Sequence, residues 1–536
     1  MALRVAAQSG GIGAMMINSL TSENMGFSKF ASMGNKLDVG EADLLEYFLV
    51  DEETHQIYLY LDGISNGRRL MEIASRSTKP IVVQKANKSR PGAAMARSHS
   101  ASLSADDQVV DAAFLQCGII RVPDQRTALH CLKAFSLPQM SGPRLAVISR
   151  SGGHAVLAAD AAEEFRFELP PYPQEAIHMV REYSRAGVIH LQNPMDLGDL
   201  FHLPLYRTLL EQTLAREDVD GITFILNYNG NRALVESRRL LGSLGEIMQK
   251  CRKPIAVCIF TVQEEFEHLR KTLDYPIFDD PRDAVMALAM SRDRSELRPL
   301  PFSAERPTGV DAAEARSRLE RLPAGPIAPE SLASILDAYG IRLVSWKRAE
   351  SEDTAVAAAE TFGYPVALKT AHAEVLHKSD VGGVHLNLPH ADAVRGDYRK
   401  LLKIGPAVLV QKMAHPGLEW LVGGRQDSSF GPVVVAGLGG IYVEIFRETS
   451  IRIAPITMEE AGRMVDGSRG AALVRGVRGE AALDREALCD VLVRISWLLH
   501  DFPEIQELDL NPVRLYPEGC MALDWRATKG ESWLMV

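Results

Sequence analysis

Over the first 137 residues, short runs of β-branched and other apolar residues alternate with stretches of helical spacing. "RVAAQSGG", "HQIYLYLDGI" and "KPIVVQKA" read as buried strands, and the segments between them carry apolar side chains at i, i+3 and i+4. Alternation of this kind predicts βαβ units around a parallel sheet. After "SLPQMSGP" the rhythm restarts with "RLAVISRSGG", "GITFILNYNG" and "KPIAVCIF", which gives a second α/β domain over 138–295. Residues 296–326 are rich in Pro, Arg and Glu and read as a linker carrying one exposed helix. A third region, 327–536, opens on a helix at "PESLASILDAYG" and closes on the strand–turn–strand pattern "IQELDLNPVRLYPEGCMALDW".

The first two domains share a local signature. "VAAQSGGIGAMM" and "AVISRSGGHAVLAAD" both run strand, Ser-Gly-Gly, helix, which suggests two related folds in tandem. A length of 536 residues is too great for one core and agrees with three or four domains. With 46% apolar and 24% charged residues the composition is that of an ordinary globular protein. The formal charge of −10 offers no basic field for a phosphodiester backbone, so nucleic acid is disfavoured as a partner. The six cysteines are scattered without a CxxC pair, against zinc and against a disulfide framework. No apolar run reaches the roughly 20 residues needed to span a bilayer, and the first residues carry no secretion signal. A cytoplasmic protein is the expectation.

A strand that feeds Gly-Gly into a helix leaves the first N–H groups of that helix free at the positive end of its dipole, where an anion can approach. Ser9, Gly10 and Gly11 form one such element, and Ser151, Gly152 and Gly153 the other. Each alone reads more readily as a tight βα turn; two in tandem, together with a small-residue histidine segment, point to one phosphate gripped by two helix ends. "ARSHSASLSADD" places His99 among small side chains, with no bulky neighbour and no second ligand at metal spacing. A neutral imidazole attacks phosphorus when an acceptor holds its other nitrogen. Asp62, at the carboxyl end of "IYLYLDG", stands where open α/β sheets present their ligands and is the candidate acceptor. A surface histidine and a turn aspartate remain the plainer alternatives.

In the third region "GYPVALKTA" ends a strand on Lys369, suited to phosphate oxygens, and "HKSDVGGVHLNL" is a Gly-rich hairpin whose amides around Gly382 and Gly383 suit nucleotide phosphates. "AVLVQKM" reads as a strand offering backbone groups to a purine edge. "ELDLNP" and "ALDW" set Asp509, Asn511 and Asp524 on two adjacent strands, an oxygen-only set that suits Mg²⁺.

These residues carry a resemblance over nearly the whole chain to the ADP-forming acyl-CoA synthetases, relatives of succinyl-CoA synthetase. "QSGGIGAMM", "MGNKLDVGEADLLEYFLVD", "ARSHSASLS", "NPMDLGD", "GYPVALKTAHAEVLHKSDVGGVHLNL", "FGPVVVAGLGGIYVE", "GVRGEAALD" and "ELDLNP" all resemble family signatures. The resemblance implies two tandem flavodoxin-like, succinyl-CoA synthetase-like parallel-sheet domains followed by an α+β ATP-grasp domain. It also implies a reaction that joins a carboxylic acid to coenzyme A (CoA) with ATP and Mg²⁺, through an acyl phosphate and a phosphohistidine. By position, His99 matches the phosphorylated histidine, and Asp62 falls where the family has a steadying glutamate. Ser9–Gly11 and Ser151–Gly153 match the phosphate-holding helix ends. His377 matches a second histidine that relays the phosphoryl group, on a segment that would have to move. Lys369, Glu419 and the hinge Gln411, Lys412 and Met413 match nucleotide contacts, and Asn511 and Asp524 match magnesium ligands.

Three departures stand out. The histidine segment is Ser98-His99-Ser100-Ala101 where the family has Ser-His-Thr-Gly, and Asp62 is shorter than glutamate. Family chains also begin with a CoA-binding domain of about 130 residues, whereas this sequence starts at the first strand of the next one. Either the sequence is a fragment, or a separate polypeptide supplies that domain, or CoA is held by the remaining surfaces; a homo-oligomer, or a complex with a separate CoA-binding subunit, is the expectation. The resemblance leaves the acid open between short-chain acids and aryl acids such as hydroxycinnamates; Ala101 and Ser102 leave room for more than acetate. Two other readings stay open at this level: an ATP-grasp carboxylate–amine ligase without a phosphohistidine, and a catalytically silent module that senses nucleotide or CoA.

Overall fold

The structure, a computed structural model, describes residues 2–88, 106–183, 191–198, 200–229, 231–296, 304–372, 375, 378, 381–440, 449–477 and 479–530. His99 and His377 lie outside the described residues. The chain divides into two compact units, one of residues 1–104 and 114–299 and the other of 105–113 and 300–536.

Among the described residues the first unit holds two five-stranded parallel sheets. The first is built from β1 (Ala2–Ala7), β2 (Phe27–Ser32), β3 (Thr54–Leu61), β4 (Ile81–Lys85) and β5 (Ile120–Val122) in the order β2-β1-β3-β4-β5. The second contains β6 (Leu145–Ser149), β7 (Met195–Asp196), β8 (Gly221–Asn227), β9 (Ile255–Phe260) and β10 (Ile277–Phe278) in the order β10-β9-β8-β6-β7. Central strands of parallel sheets are covered on both faces, so their sequences are apolar nearly throughout. In β6 the alternation is visible in the packing: Ala146 and Ile148 enter one core, and Leu145 and Val147 the opposite one. The two sheets are joined by helix Gln125–Ala134 packing on helix Pro281–Glu296, with Arg126 2.6 Å from Asp283 and Lys133 donating to the Ile277 carbonyl at 3.0 Å.

The second unit is antiparallel. One sheet takes β12 (Trp346–Ala349), β13 (Val366–Thr370), β14 (Val384–Leu388) and β15 (Val408–Lys412) in the order β12-β15-β13-β14. Helices Glu352–Phe362 and Ala391–Leu401 cover one of its faces, burying Val366, Leu368, Val408 and Val410 beneath Ala355, Ala359, Val394 and Leu401. The larger sheet combines β11 (Gly325–Pro326), β16 (Leu418–Asp427), β17 (Gly431–Leu438), β18 (Thr449–Ile453), β19 (Ile505–Leu515), β20 (Cys520–Ala522) and β21 (Trp525–Lys529). It packs on helix Arg485–Asp501, with Trp420 and Trp525 in the core. The fold is thus two flavodoxin-like parallel-sheet domains followed by an α+β region of antiparallel sheets.

One expectation is corrected. The helix foreseen as exposed within the linker, Ala312–Glu320, buries Ala315 and Leu319 completely in the core of the second unit. Its two apolar residues at i and i+4 are enough to seat it among seven polar or small neighbours. The cysteines are free, and all but Cys251 are buried. Among the described residues no helix is long and apolar enough to cross a membrane.

Candidate active site

The strand orders locate the two Ser-Gly-Gly turns. In the first sheet β1 has β2 on one side and β3 on the other, and in the second β6 lies between β7 and β8. Successive connections therefore run to opposite sides of β1 and of β6, so the strand order reverses there. The carboxyl ends of strands at such a reversal open a crevice in which α/β sheets bind ligands. Ser9 and Ser151 each cap the helix that leaves that strand, helices Gly10–Ser22 and Gly152–Glu164. Neither serine makes a side-chain cap bond, and neither helix has an acidic residue in its first turn. Gly10, Gly11, Gly152 and Gly153 are exposed, and a Cβ added at Gly11 or Gly153 would meet nothing within 4 Å. Two helix N-termini thus present open amides, the arrangement that receives an anion. They differ in one respect: a Cβ at Gly152 would lie 2.7 Å from the Asp196 carboxylate, so a negative group already stands beside the second helix start.

Asp62 follows β3, the strand adjacent to β1, and so flanks the first crevice. Its backbone is fixed from below. Asp62 and Gly63 donate their N–H groups to Gln8 Oε1 at 2.8 and 3.2 Å, and the buried Lys85 ammonium donates to the Asp62 carbonyl at 2.8 Å. Burial, together with the Asp62 carboxylate beside it, pushes the Tyr60 hydroxyl up to about 12. A second support lies under the same loop. Glu41, 1% exposed, accepts from Lys36 Nζ at 2.8 Å and from the Ser65 N–H at 2.7 Å, and Lys36 also donates to the Gly63 carbonyl at 2.7 Å. The "GNKLDVGEAD" stretch therefore acts through one buried ion pair. Glu41→Ala strands the Lys36 ammonium and is expected to cost about 3–5 kcal/mol, read as a lowered thermal midpoint of the first unit; an unchanged midpoint would remove this pair from the architecture of the loop.

The third-region candidates converge inside the second unit. Lys369, on β13, is 7% exposed and donates to the Leu523 carbonyl at 2.8 Å. Burial lowers its ammonium below the usual lysine range, Asp524 and Glu419 oppose that, and Lys378 and Arg514 add to it. All five charges thus share one neighbourhood. Asp524 accepts from Lys378 Nζ at 2.6 Å, and the Asn511 N–H donates to the Asp524 carbonyl at 3.2 Å. Asp524 lies in the link between β20 and β21 and not on a strand, a small departure from the expected placement. Glu419, on β16, is paired with Arg514 across the ladder. Gln411, paired with Ala367 two residues from Lys369, is buried with its amide nitrogen lacking a partner. Lys412 and Met413 line a cavity of about 650 Å³ with Phe362, Tyr364, His415 and Arg514. Gly382 has φ +68° and Gly383 donates its N–H to the Lys378 carbonyl at 2.6 Å, so that amide closes the turn on itself. Asp509 stands apart from Asn511 in its bonding: it accepts from Arg526 at 3.0 Å, and burial raises its carboxyl above the ordinary range despite that guanidinium. Gln8, Lys36, Glu41, Lys85, Lys378 and Arg514 are the participants that sequence reading leaves out.

Residues 2–135 match the family of succinyl-CoA ligase-like flavodoxin domains, and residues 327–528 match an ATP-grasp domain family. The ADP-forming acetate–CoA ligase I of Archaeoglobus fulgidus is 35% identical over 525 residues, covering 95% of this chain and 75% of that protein. The chain belongs to the ADP-forming acyl-CoA ligases. A trans-feruloyl-CoA synthase from an unidentified prokaryote is 28% identical over 552 residues, 98% of this chain and 76% of its own. The structure of a dinucleotide-forming acetyl-coenzyme A synthetase 1 from Ca. Korarchaeum cryptofilum, in complex with phosphate and ADP, superposes with a TM-score of 0.50 at 26% identity, covering 55% of this chain and 65% of that one.

Members of this acid–thiol ligase family use ATP and a divalent ion, and the residues of the second cluster fit both. Lys369, Lys378 and Arg514 supply cationic donors for phosphate oxygens. The Lys378 ammonium already sits on the Asp524 carboxylate, which marks that carboxylate as a place where positive charge is held. Among the described residues no three His, Cys, Asp or Glu side chains converge. Asn511 and Asp524 carry oxygen donors of the kind magnesium takes in ones or twos together with substrate phosphates, whereas Asp509 is tied to Arg526.

Proposed function

We propose that this ADP-forming acyl-CoA ligase activates a carboxylic acid through a phosphohistidine at His99, and that the CoA thiol then displaces phosphate from the acyl phosphate. The observation that carries this reading is the convergence of Lys369, Lys378, Arg514, Glu419 and Asp524 between two antiparallel sheets, a phosphate-handling site at one end of a chain whose other end carries two open helix starts. Lys369 and its cationic neighbours would draw the terminal phosphoryl group of the nucleotide and stabilise the charge that gathers on it during transfer. Magnesium held by Asn511 and Asp524 supplies further neutralisation of phosphate oxygens. His377, which matches the family's second histidine by position in the sequence, would be the relay residue. At the first crevice, Asp62 would hold the His99 ring so that its free nitrogen accepts phosphorus, and the amides at Gly10–Gly11 and Gly152–Gly153 would carry the phosphoryl oxygens. Transfer to the acid's carboxylate then regenerates the imidazole. The thiol's proton leaves as the acyl carbon is attacked, with inorganic phosphate as the leaving group.

The substrate class is a carboxylic acid, short-chain or aryl. Incubating the protein with ATP, Mg²⁺, CoA and a panel that runs from acetate through longer aliphatic acids to hydroxycinnamates tests the reaction and its range together. The expected result is one thioester formed per ADP released with at least one acid. ADP release with an amine acceptor in place of CoA, or no acid-dependent turnover across the panel, would overturn the reading.

A further inference from the structure

Beside the Lys369 cluster, one histidine is gripped on both sides. His385, on β14, places Nδ1 2.9 Å from Asp397 Oδ2 and Nε2 3.2 Å from the Gly382 carbonyl oxygen. Both neighbours are acceptors. A neutral imidazole carries a single N–H, so either tautomer would turn a lone pair toward one of these oxygens. Only the imidazolium donates to both.

The surroundings support that charge. Asp397 comes from helix Ala391–Leu401, and Lys400 of the same helix lies 2.6 Å from its other oxygen. Burial acts to raise the Asp397 carboxyl, but the bonds from Lys400 and His385 outweigh it and hold the group below the ordinary carboxylate range. Across the ladder His385 faces Leu368 of β13, which brings no charge, and the next residue, Lys369, reaches the Leu523 carbonyl instead. The rest of β14, "VHLNL", has no other titratable side chain.

The carbonyl held by His385 belongs to a Gly–Gly peptide with little resistance of its own to rotation. Gly382 has φ +68°. The opposite end of the same peptide plane, the Gly383 N–H, donates to the Lys378 carbonyl at 2.6 Å, and the Gly383 carbonyl accepts from Thr370 at 2.9 Å. A trans peptide is rigid, with its C=O and N–H opposed, so His385 and the Lys378 carbonyl fix the two ends of one plane. A Cβ at Gly383 would stand 2.9 Å from both the Lys378 carbonyl and Thr370 Cγ2, so the turn has no room for a side chain that could stiffen it.

We propose that His385, held by Asp397, is a positioning residue that fixes the Gly382–Gly383 peptide and preorganises this turn for the phosphates of the nucleotide bound at Lys369. The inference rests on the reading of Lys369 as part of the nucleotide site. Its test is calorimetric binding of ADP with saturating Mg²⁺ to the full chain. His385→Phe is expected to bind about tenfold more weakly than the wild-type protein, the loss that follows from one hydrogen bond at this turn. His385→Gln, with a similar reach and an amide donor for the Gly382 carbonyl, should recover most of that affinity, and it serves if the phenylalanine variant does not fold. Wild-type affinity in the phenylalanine variant, or a glutamine variant as weak as the phenylalanine one, would overturn the proposal. Lys369→Met separates the two readings. If it binds ADP normally, the nucleotide reading falls and this inference with it; if it loses ADP while the His385 variants behave as wild type, only the role of His385 falls.

Discussion

His99→Ala is expected to abolish thioester formation, by at least about 10⁴-fold, because a covalent carrier cannot be bypassed by the groups that merely orient it. The same variant should take up no acid-labile phosphate from γ-labelled ATP and Mg²⁺, whereas the wild-type chain should. Ser9–Gly11 and Asp62 flank one crevice at the reversal of strand order, so a phosphoryl group there would meet open amides on one side and a carboxylate for the imidazole on the other. The two measurements answer different rivals. Retained ligase activity without label would support direct transfer from nucleotide to acid, and label without turnover would indicate a phosphorylated protein that senses nucleotide. Either result would remove His99 from the reaction as drawn.

Lys369→Met is the second large effect. The variant removes the most buried cation of the proposed phosphate-handling cluster while filling nearly the same volume, and a loss on the order of 10³-fold in kcat/KM for ATP is expected, as for the removal of a preorganised charge donor. Stability should move the other way or stay level. The folded-state pKa of Lys369 lies below its unfolded value, so between those two values the unfolded chain binds more protons and wild-type stability rises with pH. The methionine variant should lack that rise. A variant with wild-type kinetics but reduced thermal stability would make Lys369 a packing residue and nothing more.

The strands that matter most are legible in the sequence because parallel central strands are apolar on both faces: β1, β3, β4, β6, β8 and β9 all announce themselves as near-continuous runs. The edge strand β2, "FSKFAS", is not legible, since nearly all of its side chains are exposed and no burial pattern marks it. The Ser-Gly-Gly turns stand out, but their position at strand-order reversals depends on which strands pair, which local pattern does not contain. The same reason hides Gln8 and Lys85, whose role is to bond backbone atoms more than 20 residues away. Lys36 and Glu41 are close in sequence and resemble two surface charges; only the structure shows the pair at 4% and 1% exposure. In the third region the oxygen-rich residues draw the eye, and the structure divides them: Asn511 and Asp524 share a backbone bond, while Asp509 is occupied by Arg526. The burial of helix Ala312–Glu320 is hidden by composition, since a charged exterior on a short helix says little about two apolar contacts beneath it.

The contact between Lys378 and Asp524 bears on the proposed magnesium site. A divalent ion arriving at this carboxylate would face an occupant, so loading there would be a substitution of one positive group for another and not a simple addition. A nucleotide's phosphates would offer the displaced ammonium new partners, and so the swap would be easiest with nucleotide and metal arriving together. Such a site would have little appetite for free cations and a strong one for the metal–nucleotide complex.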